Sequence, residues 1–182
     1  MTISIGRPGR TVWLFLLVIF VGIQFGAGLY EKLVVVPQWA DLPGELVVGQ
    51  IEASGMKSAG RVFWPFVSPF VGVLAIINLI VSWRSRGPNR RWWIAGAALM
   101  CAYAIFSYSY FVPQMLMLQA GGDSWPASQV EELARTWTSL NYVRMTIGAA
   151  GWLCALRALW LASFPQVGGP RFAAAAPARP EH

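Results

Sequence analysis

Histidine is all but missing from this chain: its one copy is His182, the last residue. That removes His-ligated haem and His-based metal sites from the body of the protein. Cysteine is nearly as scarce. Cys101 and Cys154 both fall inside apolar runs, so they read as small buried residues, with no disulfide framework and no Cys-x-x-Cys redox motif. No Gly-rich phosphate loop follows a strand pattern, and the apolar runs hold a single acid, too few for a carboxylate metal cluster. Charge is the largest deficit. Only 12% of residues are charged and 56% are hydrophobic, against about 25% charged in an ordinary soluble domain. Too little polar surface remains to cover a water-soluble core. Chemistry in such a chain is expected to need no metal and no cofactor, or to borrow one from a partner.

What is present is four long apolar runs, at about residues 12–36, 62–83, 92–118 and 139–164. A hydrocarbon core about 30 Å thick takes about 20 helical residues to cross, and each run supplies that many. The expected fold is all-α: an integral membrane, antiparallel four-helix bundle. The net charge of +6 does not signal nucleic acid, because the charges are sorted by loop. Arg7 and Arg10 precede the first run, Arg84, Arg86, Arg90 and Arg91 fill the loop between the second and third, and Arg171 and Arg179 lie in the tail. Asp41, Glu45, Glu52, Asp123, Glu131 and Glu132 fall in the two loops opposite, where the only basic residues are Lys57, Arg61 and Arg135. Lys and Arg mark the cytoplasmic face, so both termini are expected in the cytoplasm, as in a bacterial inner membrane. The first run is too long for a signal-peptide core of about 7–15 residues and reads as an uncleaved span.

The outer loops, about 37–61 and 119–137, carry local signals. Pro37 should end the first helix. Asp41 is placed to cap a short helix over residues 45–52, with Leu46, Val47 and Ile51 on an apolar face that lies on the bundle mouth or the lipid surface. Ser128 and Glu131 have capping-box spacing, which starts the fourth helix outside the membrane near Ser128 and sets Glu131 one turn from Arg135. Trp13, Trp83, Trp92, Trp93 and Trp160 fall at the inner ends of the spans, and Trp39, Trp64, Trp125 and Trp137 at the outer ends, where indole favours the headgroup boundary. Trp152 falls in mid-span and reads as packing. Residues 165–182 have no periodic apolar face and are expected to be a disordered tail.

Polar residues in hydrocarbon should turn inward. On span three Tyr103, Ser107, Tyr110 and Gln114 recur at helical spacing; on span four Asn141, Arg144, Gly148, Gly151 and Ala155 do so; on span two Trp64, Ser68, Ala75, Asn78 and Ser82; on span one Gln24, Gly28 and Glu31. Such stripes often only join helices. The charged pair is a different matter. Glu31 lies about 9 Å below the outer end of its helix at Pro37, and Arg144 about 10 Å below Trp137, at 1.5 Å per residue. Facing each other, they would offset much of the cost of burial, while Lys32 would snorkel to the outer headgroups. A buried ion pair is weak evidence for stability, and Tyr30, Tyr110, Gln114, Asn141 and Tyr142 fall at similar depth. The set is therefore expected to be a site. Glu31 would accept a proton or anchor a cation, and Arg144 would bind a phenolate, carboxylate or oxyanion, or hold Glu31 ionised. Tyr110 and Asn141 would orient a ligand by hydrogen bonds, with Tyr30, Gln114 and Tyr142 as further ligand contacts.

Gly26-Ala27-Gly28-Leu29-Tyr30-Glu31, then Val34-Val35-Val36-Pro37 and Trp39, together with Trp137, Asn141 and Arg144, resemble the anthrone oxygenase-like family of small four-helix membrane proteins. The resemblance implies a four-helix membrane bundle and, for members with an assigned role, cofactor-independent oxygenation of a polycyclic phenol to a quinone.

Two classes of function follow. In the first the protein is an oxygenase or oxidoreductase acting on a lipophilic phenolic small molecule in an outer-leaflet pocket, with Glu31 as base and Arg144 stabilising the anion. In the second it is a non-enzymatic membrane protein (a small transporter, or a lipid-binding or assembly subunit) in which Glu31 and Arg144 are structural. Expected partners are the lipid bilayer and a lipophilic small molecule; nucleic acid is not among them, and a homo-oligomer is open.

Overall fold

A computed structural model describes residues 8–163; the expected disordered tail lies outside them. The described residues form helices and turns only. α1 (Pro8–Tyr30) continues through a π-turn (Glu31–Val35) and a short 3-10 turn (Val36–Gln38). The segment that follows holds α2 (Gly44–Ala53) and α3 (Met56–Val62), and then α4 (Trp64–Trp83) begins. α5 (Arg90–Phe106) passes through a second π-turn (Ser107–Phe111) into α6 (Val112–Gly121), and α7 (Ala127–Ser163) runs unbroken for 37 residues. Four segments are long and apolar enough to cross a membrane: Arg10–Gln38, Trp64–Trp83, Arg90–Ser124 and Ala127–Ser163. The chain is read as an integral membrane protein on that ground.

Lipid gives helices no hydrophobic reason to associate, so close packing and hydrogen bonds must hold them. The seam between α5 and α7 shows how. A Cβ added at Gly96 would lie 2.9 Å from the Ala155 nitrogen and 3.0 Å from the Gly151 oxygen, so glycine here lets two backbones touch. Asn78 is the polar rivet. Its amide donates to the Trp13 and Leu74 carbonyls at 3.0 and 2.8 Å, and its oxygen accepts from the Trp93 indole at 2.8 Å. This one side chain thereby joins the first three spans.

The buried residues fall into two clusters. One gathers Leu14, Leu17 and Val21 with Val71, Leu74, Met100, Tyr103 and Ala155. The other gathers Val36, Trp39, Val47, Ile51, Phe111, Leu118, Val130 and Trp137. Along spans one, three and four, Glu31, Ser107 and Arg144 fall between the two sets. That interval is where the bundle turns polar.

Several local expectations are corrected. α2 forms, but Asp41 does not cap it; the helix starts after Pro43, and its Gly44 N–H donates to Glu131 Oε1 at 2.9 Å. Glu131 is thus drawn into a tertiary cap and forms neither the capping box with Ser128 nor, among the described residues, an ion pair with Arg135. A Cβ on Gly44 would collide with the Ala127 backbone, so only glycine lets α2 approach α7 this closely. The buried face of α2 is Gly44, Val47 and Ile51, at helical spacing, and it packs on the bundle mouth; Leu46, about 100° round from Val47, is 57% exposed. Trp39, Trp93 and Trp137 are buried within the protein. Trp152 does pack: its N–H donates to the Val18 carbonyl at 3.0 Å, and its ring stacks on Phe25.

Candidate functional site

Both π-turns lie at the level of the polar interval, and both have the same cause. Val36 N–H donates to the Glu31 carbonyl and Val112 N–H to the Ser107 carbonyl, five residues back instead of four. The next residue is a proline in each case, Pro37 and Pro113. A proline ring crowds the carbonyl four residues before it and offers no N–H. Widening the preceding turn relieves that crowding, and single π-turns of this kind are frequent at functional sites.

The second π-turn decides which side chains reach the interior. One extra residue in the turn sets all later side chains back by about 100°. Phe111, Met115 and Gln119 therefore continue the Ser107 face, where a uniform helix would bring Tyr110 and Gln114. Those two line a separate shallow groove with Trp125, Gln129 and Glu132. Tyr30 and Tyr142 are turned outward, 61% and 63% exposed. Of the expected set, Glu31, Asn141 and Arg144 are brought together; Tyr30, Tyr110, Gln114 and Tyr142 are not.

Glu31 and Arg144 line one cavity of about 560 Å³, a volume suited to a single small ligand. Its other walls come from α3 (Met56, Lys57, Arg61), the start of α4 (Trp64, Pro65, Ser68, Pro69), span three beyond Ser107, and Trp137. The walls are mainly apolar and aromatic.

Glu31 is buried, and its Oε1 accepts the Trp64 indole N–H at 3.3 Å. Oε2 has no hydrogen-bond partner among the described residues. Arg144 is held on three sides. Its Nε donates to Asn141 Oδ1 at 2.9 Å, and its guanidinium lies 4.5 Å from the Phe111 ring centre and 5.5 Å from that of Tyr103. Gly148, one turn further on, leaves the space that the Tyr103 ring fills. Among the described residues no protein acceptor takes the terminal Nη groups. Trp137 donates to the Phe111 carbonyl at 3.2 Å and so fixes the widened turn against α7.

Two expectations change here. Glu31 and Arg144 do not form a direct ion pair; among the described residues that contact is made by Lys57 and Glu52, 3.1 Å apart. The two charges face a shared space. Lys32 does not snorkel outward. It is buried, donates to the Thr138 carbonyl at 2.9 Å and lies 4.0 Å from the Tyr142 ring centre. Trp64, Tyr103, Phe111 and Trp137 complete the site. Trp64 and Tyr103 were legible as stripe residues, whereas Phe111 gave no signal, because its place depends on the π-turn.

The sequence model of one family, described as Anthrone oxygenase, matches residues 56–154. The match covers more than half of the chain, and the protein belongs to that family. It takes in spans two and three and the segment with Trp137, Asn141 and Arg144; Glu31 lies before it. Comparison with curated proteins finds no match, and comparison with solved structures finds none.

Proposed function

We propose, from that family membership and from the cavity that Glu31 and Arg144 share, that the protein is a cofactor-independent oxygenase of a lipophilic phenolic molecule. We take the four spans to be antiparallel, with both termini in the cytoplasm of a bacterial cell and the cavity under the outer leaflet of its inner membrane. The sorting of arginines supports that orientation.

The chemistry asks for a base and an anion holder in a dry pocket. A fused-ring ketone whose CH2 group lies between aromatic rings is acidic, because its carbanion is also a phenolate. Glu31 takes the C–H proton, and the Arg144 Nη groups bind the phenolate oxygen where charge develops. Asn141 and the two rings that flank the guanidinium fix its direction beforehand, so little reorganisation is left to the reaction. The carbanion reduces oxygen and joins it to form a peroxide, which takes its proton from Glu31. Loss of water then leaves the carbonyl. One CH2 group and one O2 become one C=O and one H2O.

The observation that carries this reading is that the free Glu31 oxygen and the free Arg144 donors border the same apolar cavity. If the two charges only locked the helices in register, they should touch, and they do not. The test is oxygen uptake by protein in lipid nanodiscs supplied with anthrone. Uptake should match quinone formation mole for mole, and Arg144→Gln should lower the rate by about 10²–10³-fold, as loss of an oxyanion donor does. Folded wild-type protein without turnover on anthrone or any ring-substituted analogue would remove the oxygenase reading.

A further inference from the structure

The cavity has a gap in its wall, and its position can be traced to two helices that part. α4 packs along α5, close enough that a Cβ on Gly72 would meet the Ala104 Cβ at 3.8 Å. Beyond Phe106 it scarcely touches span three. The parting starts where the π-turn on one side meets Pro65 and Pro69 on the other. Tyr108, Val112 and Leu116 line the cavity there, yet they are 44%, 40% and 59% exposed. Residues that are both cavity wall and outer surface mark an opening, here on the side of the bundle between α4 and α6.

The slot also has a length and a polarity profile. From Ser107 to Gln119 along span three is about 18 Å at 1.5 Å per residue, close to one leaflet of a core about 30 Å thick. Arg61 and Lys57 stand at its outer end, the apolar wall of Pro65, Val112 and Leu116 follows, and Glu31 and Arg144 lie deep. Lys57 is balanced by Glu52, so Arg61 carries the net charge of the rim. A basic rim over an apolar slot reproduces the surroundings of an anionic amphiphile in a membrane, where a Lys or Arg near the surface attracts anions.

We propose that the gap between α4 and α6 is a lateral portal through which the site takes an anionic amphiphile from the outer leaflet, its acidic group held by Arg61 and its apolar body laid along the slot. The substrate class is thereby narrowed to lipophiles with an acid group at the end away from Arg144. This rests on reading the cavity as a ligand site, but not on oxygenation.

The probe is stearate brominated at mid-chain, in phosphatidylcholine nanodiscs, with its methyl ester as the neutral control. Bromine quenches indoles that it touches, and Trp64 lines the slot; the difference between wild type and Trp64→Phe isolates its signal. The acid should quench Trp64 saturably and more strongly than the ester. Arg61→Gln should raise the half-saturating mole fraction of acid about 5-fold, the worth of one surface cation, and leave the ester unchanged. Val112→Phe, which narrows the gap without touching the rim, should slow the approach to saturation. If Trp64→Phe does not fold, native mass spectrometry of wild type and Arg61→Gln counts the retained acid directly. Unquenched Trp64 or no retained acid overturns the portal, a Val112→Phe variant that fills as fast as wild type overturns the lateral route, and equal response to acid and ester overturns the anionic class. Binding without oxygen uptake would sink the oxygenase and leave the portal standing.

Discussion

Arg144 illustrates how much of a single side chain's role comes from its neighbours. Its Nε is committed to Asn141 and its faces to Phe111 and Tyr103, so only the Nη groups are left to meet a ligand. Lysine would keep the charge but lose the planar fork. Arg144→Lys should therefore stay folded and lose nearly as much turnover as Arg144→Gln, read from initial oxygen-uptake rates. Asn141→Leu should keep the cavity but free the guanidinium to turn, lowering kcat by about 10²-fold, as misplacement by about 1 Å does. Wild-type rates in Asn141→Leu would show that the amide does not aim the arginine. Glu31, Asn141 and Arg144 were legible in the sequence because depth and helical face depend only on counting residues. The outward turn of Tyr30 and Tyr142 was not, since exposure on a span depends on where its neighbours lie.

At the scale of helices, the two π-turns separate what counting can reach from what it cannot. A uniform helix places Tyr110 and Gln114 with Ser107; the turn before Pro113 replaces them with Phe111 and Met115. Proline was visible, but its remedy was not, because a kink, a break or a widened turn each relieves the same clash. Packing between helices is more regular. Gly96→Val forces a branched side chain into the Gly151 and Ala155 backbone, and it should lower stability by about 1–3 kcal/mol, seen as an earlier thermal transition in detergent. The tertiary cap is a smaller effect. Glu131→Ala should cost about 0.5–2 kcal/mol, as loss of a cap does, and hydrogen exchange should accelerate at the start of α2 first. Unchanged exchange there would mean that Glu131 does not hold Gly44 in the membrane-bound protein.

For the molecule as a whole, the apolar runs and their lengths were enough to give four membrane-length helices, since hydrocarbon thickness leaves few choices. Sorting of arginines leads to the proposed orientation, and labelling tests it: in intact cells Ser128→Cys should react with an impermeant maleimide, whereas Arg86→Cys should react only after lysis, and the reverse pattern would invert the protein in its membrane. The proposed activity depends on one joint act, in which an acid from the first span and a guanidinium from the fourth work on a guest held between them. A double-mutant cycle in oxygen uptake, with Glu31→Gln, Arg144→Gln and both together in nanodiscs with anthrone, tests that act directly. Residues that act as a unit are far from additive, so the double variant should be about as slow as the slower single variant. Losses that multiply, or single variants that keep wild-type rates, would contradict a shared site.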